Sequence, residues 1–291
     1  MQRLSGVLVF VLGCSQASGD CEVDGDCATG EACRADHVCV AKTPTTGLDG
    51  GADSSVACAP NHDGVIERDE VVILVPASVN FRSSGETQVD LAGTKDLDGT
   101  RHWDLSGMFT GDHDTPMETA PLAGTWFASQ FSGGQFITPL SGAGATDLLG
   151  VYTALANKVQ ILGAASKEAG PTQTKLTYDP PVDTFAFPLH MGQHWETHSS
   201  VTGTASGLPV LFSDVWKADI DAKGDVITPY GAFPVLRLRL QLARTIGLVT
   251  TTTTTYGFVA ECFGTVATVS SRSNETALEF TTAAEVRRLA P

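Results

Sequence analysis

His190, His194 and His198 recur at every fourth position of the chain, and Glu196 stands between the last two. Side chains alternate across a strand, so His194, Glu196 and His198 would share one face and present two imidazoles and a carboxylate. That is a zinc donor set, and with a bound water it would support metal-dependent hydrolysis. Pro188 and Gly192 put His190 in a turn, and His102, Asp112, His113 and Asp114 would have to fold onto the same face to add ligands. The plainer reading is a row of solvated polar side chains flanking a core Trp195. The sequence contains no Gly-x-Ser-x-Gly elbow, no His-Glu-x-x-His pair and no glycine-rich phosphate loop with its lysine. The expectation is a protein without a catalytic centre, although a triad scattered along the chain would leave no motif.

A second constellation suits a hard cation. Asn61, Asp63, Gly64, Ile66 and Glu70 occupy positions three, five, six, eight and twelve of a calcium loop of the EF-hand kind. Position one is Ala59, where a carboxylate is needed, and Pro60 follows it. Without that oxygen the segment reads as a metal-free turn leading into a strand, with calcium the rival. No other cofactor is expected.

Seven cysteines are an odd number for an exported chain. Cys21, Cys27, Cys33 and Cys39 follow one another with five residues between neighbours. So short a segment cannot build a core, and two disulfides would have to replace it. Spacing leaves all three pairings open. Four thiolates could instead hold zinc, but zinc ligands usually come in pairs two to four residues apart. Once that cluster is paired, Cys58 and Cys262 remain for a bridge that would mark everything between them as one domain. Cys14 is the odd one, and its surroundings explain it. Met1, Gln2 and Arg3 give a basic start, Leu4 to Leu12 an apolar stretch, and Gly13 a small residue before a cut.

Eighteen Lys plus Arg against thirty-three Asp plus Glu leave a net charge of -15, which repels nucleic acid and anionic surfaces at long range. Hydrophobic residues make up 42% of the chain, enough for a full core, and after Leu12 no apolar run reaches the ~20 residues that span a bilayer. Two stretches alternate with period two. Trp216, Ala218 and Ile220 stand against Lys217, Asp219 and Asp221, and Leu236, Leu238, Leu240 and Leu242 against Arg237, Arg239 and Gln241. Each predicts a strand with one face on a core and one in water, and Asp221 to Asp225 reads as the hairpin turn between them. Further strands are predicted over Val71–Val75, Val79–Arg82, Thr87–Leu91, Thr125–Phe131, Val159–Leu162, Thr172–Tyr178, Thr184–Phe187, His194–Thr202, Thr252–Glu261, Gly264–Ser270 and Ala277–Thr281. Helix is predicted only for Leu148–Ala156 and Ala283–Leu289. The fold class is mainly β, an antiparallel sandwich or partly open barrel from residue 58 onward, preceded by a small disulfide-rich module.

The run Val11, Leu12, Gly13, Cys14 resembles the lipobox of bacterial lipoproteins. That resemblance implies a signal peptide over 1–13, acylation of Cys14, and anchoring in the cell envelope, with Ser15 favouring the outer membrane. Asp26, Cys27, Gly30 and Cys33 resemble a Dickkopf-type cysteine-rich module, here 14–40. A linker of Thr, Gly, Asp, Ser and Pro follows over 41–57, and the β-rich domain is 58–291. Gly99, Trp103, Asp104, Leu105 and Ser106, then Pro188, Gly192 and Trp195, then Gly224, Thr228, Pro229, Gly231, Phe233 and Val235 to Arg237, are similar to a β-rich domain of secreted and cell-surface proteins of gliding bacteria. That group implies no enzymatic residues. The function expected is a non-enzymatic envelope lipoprotein presenting a β-domain for binding, adhesion or a structural role. The alternative is a carrier of a lipid or other apolar ligand in a half-open barrel.

Overall fold

The computed structural model describes residues 58–140 and 147–291 in full, and the backbone of 31–33 and 39–41. The chain divides into two units, residues 1–56 and 57–291. In the first, β1 (Glu31–Cys33) and β2 (Cys39–Ala41) form an antiparallel pair with Cys33 opposite Cys39. Cys14, Cys21, Cys27, the expected signal segment and residues 42–57 of the expected linker lie outside the described residues.

The second unit follows from its period-two patterns. In chain order its strands are β3 (Val65–Ile66), β4 (Ala77–Ser84), β5 (Thr87–Gln88), β6 (Thr94–Lys95), β7 (Arg101–Asp104), β8 (His113–Pro121) and β9 (Phe136–Pro139). Then come β10 (Leu148–Leu155), β11 (Lys158–Ser166), β12 (Lys175–Ala186), β13 (Leu189–His190), β14 (His194–Ala205) and β15 (Leu208–Ile227). β16 (Ala232–Ile246), β17 (Val249–Ala260), β18 (Gly264–Ser271) and β19 (Thr282–Leu289) complete the chain. Twelve of these close into a ring, in the order β14, β12, β11, β10, β9, β8, β4, β19, β18, β17, β16, β15, with β15 pairing back to β14. Every neighbouring pair is antiparallel. The fold is an antiparallel β-barrel.

Opposed residues of antiparallel neighbours share a face, so the wall can be followed around the ring. Val201 faces Phe212 and Tyr178, and Trp216 faces Leu242. This face is the lumen, because Tyr178 of β12 lies against Arg244 of β16 with two strands between them. A flat sheet would hold those strands about 14 Å apart. One end of the lumen has a floor. β3 pairs with β13, and Ile66, Val71 and Leu189 pack onto the inward-facing Ala218, Ile220, Leu236, Leu238 and Val259. The Cys58–Cys262 disulfide ties this crossing segment to the turn between β17 and β18, as does a hydrogen bond from the Cys262 N–H to the Glu70 carbonyl (2.7 Å).

Burial is reversed on part of the wall. On β17 to β19 the outward residues Tyr256, Phe258, Val269 and Val286 are fully buried, covered by Leu91, Trp103, Leu105 and Phe280 from the connecting segments. The inward Thr253, Thr255, Thr268 and Ser270 of the same strands are only half-buried. A second cladding of Leu122, Phe127 and Phe131 covers Ile137, Val151 and Ala165 on the outside of β9 to β11.

Several local expectations change. Asp221–Asp225 is no turn: β15 runs through it with a bulge after Ile220, and the chain reverses at Thr228–Gly231 instead. Asp221 is the extra residue of the bulge, and Gly224 lies where β7 approaches. Leu148–Ala156 and Ala283–Leu289 are not helices but β10 and β19, because each fills a slot between two strands whose free ladder groups it satisfies. Thr125–Phe131 forms the tight turns that carry the second outer cladding, including the 3-10 turn Ala128–Gln130. Val71–Val75 and Ala277–Thr281 are connecting segments, and Thr87–Leu91 keeps only β5 as strand. Thr172–Tyr178 and Thr184–Phe187 contribute to one strand, β12. Arg237, expected in water, is 2% exposed.

Candidate functional site

β14 places His194, Glu196 and His198 on one face, as alternation requires, and that face is the outer wall in contact with solvent. Glu196 is already engaged: its Oε1 lies 2.5 Å from His198 Nε2 and its Oε2 3.5 Å from Lys217 Nζ on β15. His194 stands opposite Asp219. His190 is on β13, beside the carbonyl of Met191. His102 pairs with Asp96 and Asp225, and His113 with the carbonyl of Gly111 in its own turn. Asp112 binds Arg288 and Asp114 binds Arg82. The outer row, continued by Ser200 and Thr202, is polar where a membrane-spanning barrel carries an apolar band.

The other candidate oxygens serve the backbone. Asn61 Oδ1 accepts from the Asp63 N–H (2.9 Å), and Asp63 Oδ1 from the Val65 N–H (2.8 Å). Gly64 supplies the positive φ of 84° that the turn needs. Glu70 is buried and its Oε2 accepts from the Glu67 N–H (2.9 Å), closing the 3-10 turn Arg68–Glu70. Among the described residues, no three His, Cys, Asp or Glu side chains are grouped as ligands for a metal. No helix among them is long and apolar enough to cross a membrane.

The lumen is the site that local patterns did not reveal. Its deep part is apolar and closed by the floor. Above it, Leu240, Leu242 and Trp216 are half-buried, facing the interior with Tyr178, Val201 and Phe212 nearby. Charged groups also face the interior: Glu285 and Arg287 of β19 pair with each other opposite the inward Ser270 and Thr268, and Asp214 and Arg244 face each other on β15 and β16. Arg244 makes a bidentate pair with the fully buried Asp214, Nε to Oδ1 at 2.9 Å and Nη2 to Oδ2 at 2.7 Å, and its guanidinium lies 4.6 Å from the Phe212 ring centroid. Burial pushes the Tyr178 phenol above its ordinary range, against the opposing pull of Arg244. Burial likewise raises Tyr152. These phenols are therefore neutral hydrogen-bonding groups at physiological pH. The Trp216 indole N–H is buried without an acceptor among the described residues.

The signal that could have found this site was register. A turn centred on Lys223 would set Asp214 opposite residue 232, whereas the true turn sets it opposite Arg244. Comparison of the chain with protein-family models, with curated proteins and with solved structures found no match.

Proposed function

We propose that this chain is a lipid-anchored, non-enzymatic protein of the bacterial cell envelope whose barrel takes up a small apolar or amphiphilic ligand. One observation carries the reading: inward residues of the upper wall on three neighbouring strands, Trp216 on β15, Leu240 and Leu242 on β16, and Thr253 and Thr255 on β17, are half-buried, while Thr254 and Tyr256 on the outer face of β17 are buried. Apolar side chains left accessible inside a floored barrel are suited to hydrocarbon. The unsatisfied indole N–H of Trp216 would gain an acceptor from a ligand oxygen. Anchoring rests on Cys14. A single acyl chain binds a bilayer reversibly, and two or more hold it there, since each buried methylene contributes about 0.8 kcal/mol.

Titration of the purified chain with a fluorescent fatty acid tests the carrier role. Saturable uptake is expected, with Leu242→Glu abolishing it and His198→Ala on the outer wall leaving it unchanged. Uptake that is absent, or indifferent to Leu242→Glu, overturns it. Intact-mass measurement of membrane-extracted protein tests the anchor, and a free, unacylated Cys14 overturns that part.

A further inference from the structure

At the floored end of the barrel, outside the lumen, two turns come together: the β15–β16 turn with Tyr230, and the β17–β18 turn with Glu261 and Phe263. Tyr230 is 56% and Phe263 50% exposed, and Phe233 is buried beneath them. Their ring centroids lie 6.0 Å (Tyr230–Phe233), 6.4 Å (Tyr230–Phe263) and 4.9 Å (Phe233–Phe263) apart, the last pair edge to face. With Pro60, Pro234 and His62 they line a cleft of about 310 Å³. The turns are fixed in place. Cys262 is disulfide-bonded to Cys58, and the Tyr230 N–H donates to the carbonyl of Leu289 (3.1 Å).

Glu261 also lines this cleft, although its side chain is only 10% exposed. Its Oε2 accepts from the backbone N–H groups of Asn61 (2.8 Å) and His62 (3.0 Å). Its Oε1 receives no hydrogen bond from any described residue. A nine-tenths buried carboxylate with one oxygen free of protein donors, set against aromatic rings and with His62 Nδ1 3.8 Å from its other oxygen, favours positive charge: an anion is repelled, and a neutral apolar group leaves the oxygen without a donor. The chain's net charge of -15 adds a long-range attraction of the same sign.

We propose that the cleft binds a compact organic cation, an alkylammonium or guanidinium group, with its charge against Glu261 and its alkyl surface against Tyr230 and Phe263. The volume, near the lower end for small-molecule sites, suits a head group of this size. This site is separate from the lumen, and its fate does not depend on the carrier reading.

Calorimetric titration of the full chain with tetramethylammonium, with choline, and with 3,3-dimethylbutan-1-ol, the uncharged counterpart of choline, tests the proposal. The cations are expected to bind about tenfold or more tighter than the alcohol. Glu261→Gln keeps an oxygen for the Asn61 and His62 N–H groups while removing the charge, and should weaken the cations by about tenfold at an unchanged melting temperature. Should that variant melt early, Phe263→Leu gives a second reading, weakening choline more than the alcohol. Phosphatidylcholine vesicles in place of free choline then separate a lipid head group from a dissolved cation. Equal binding of choline and its neutral counterpart, undiminished binding by well-folded Glu261→Gln, or no cation binding to protein with an intact Cys58–Cys262 bridge overturns the proposal.

Discussion

Arg237 alternates with Leu236 and Leu238, and its charge marks it for water, yet it is enclosed on every side. Its Nε and Nη2 hold the Asp221 carboxylate at 2.8 and 3.2 Å, Nη1 donates to the carbonyl of Leu91 (2.6 Å), and Nη2 also reaches Glu279 at 3.2 Å. The guanidinium lies 4.7 Å from the Tyr256 ring centroid and 5.4 Å from that of Trp103. Arg237→Leu would leave Asp221 without its main partner, and a loss of about 3–5 kcal/mol is expected in urea denaturation. His102 gives a pH-dependent counterpart at the surface. Its bond to Asp96 raises the imidazole above its ordinary value near 6.5, with burial opposing and the charges of Asp96 and Asp225 adding to the rise. The stabilisation is therefore complete below the unfolded-state pKa and fades as pH climbs through the raised folded-state midpoint. An NMR titration should show that midpoint above the free-imidazole value, and Asp96→Asn should bring it down. At this scale the row Leu236 to Leu242 was legible in the sequence, because its inward direction follows from alternation alone. The surroundings of Arg237 were not, since Leu91, Trp103 and Glu279 arrive from remote segments that no local window contains.

Among the elements, strands with clean alternation such as β14 and β16 were readable, whereas β8, interrupted by Pro116, gave no comparable signal. Gly224 misled as a turn residue because its other use is invisible in sequence. β7 runs beside it in parallel, and a Cβ on Gly224 would fall 1.7 Å from the Arg101 carbonyl oxygen. Gly224→Ala should therefore push β7 off β15 and expose Trp103, which is 1% exposed and edge-on to Phe258, seen as a red shift of tryptophan emission. The ring also has a thin seam. β8 and β9 share two paired residues, Ala120 with Ile137 and Pro121 with Phe136, whereas β15 and β16 are paired along most of their length. Amide hydrogen exchange should be fastest among the barrel ladders at β9, with β16 and β17 the slowest. Equal protection across the seam and the β15–β17 ladders would contradict this.

For the whole molecule, the antiparallel β class and a body beginning near Cys58 could be read from composition and spacing, because strands and cysteines leave local marks. Closure could not, since it depends on the last strand, β19, pairing with the first strand of the ring, β4, from the far end of the body, and on registers summed around twelve strands. The Cys58–Cys262 bridge spans 204 residues, nearly the entire body. Denied that crosslink, the unfolded chain regains loop entropy worth about 5 kcal/mol, and paired Cys58→Ser and Cys262→Ser substitutions should lower the denaturation midpoint accordingly. Because the bridge pins the floor, the same variant should also lose hydrogen-exchange protection at Ile66 and Leu189 ahead of the walls.

A strand ring that meets its own beginning has little backbone left to offer a stranger. What remains at the margins is guarded: β6 is two residues long and ends in Lys95, and the stretch of β8 beyond the seam carries Pro116 between Asp114 and Glu118. These are the features that keep sheet edges from recruiting further chains. A threonine-rich polypeptide could thus be crowded at high local concentration without seeding fibrils, and any accident that springs the seam would be the step at which aggregation begins.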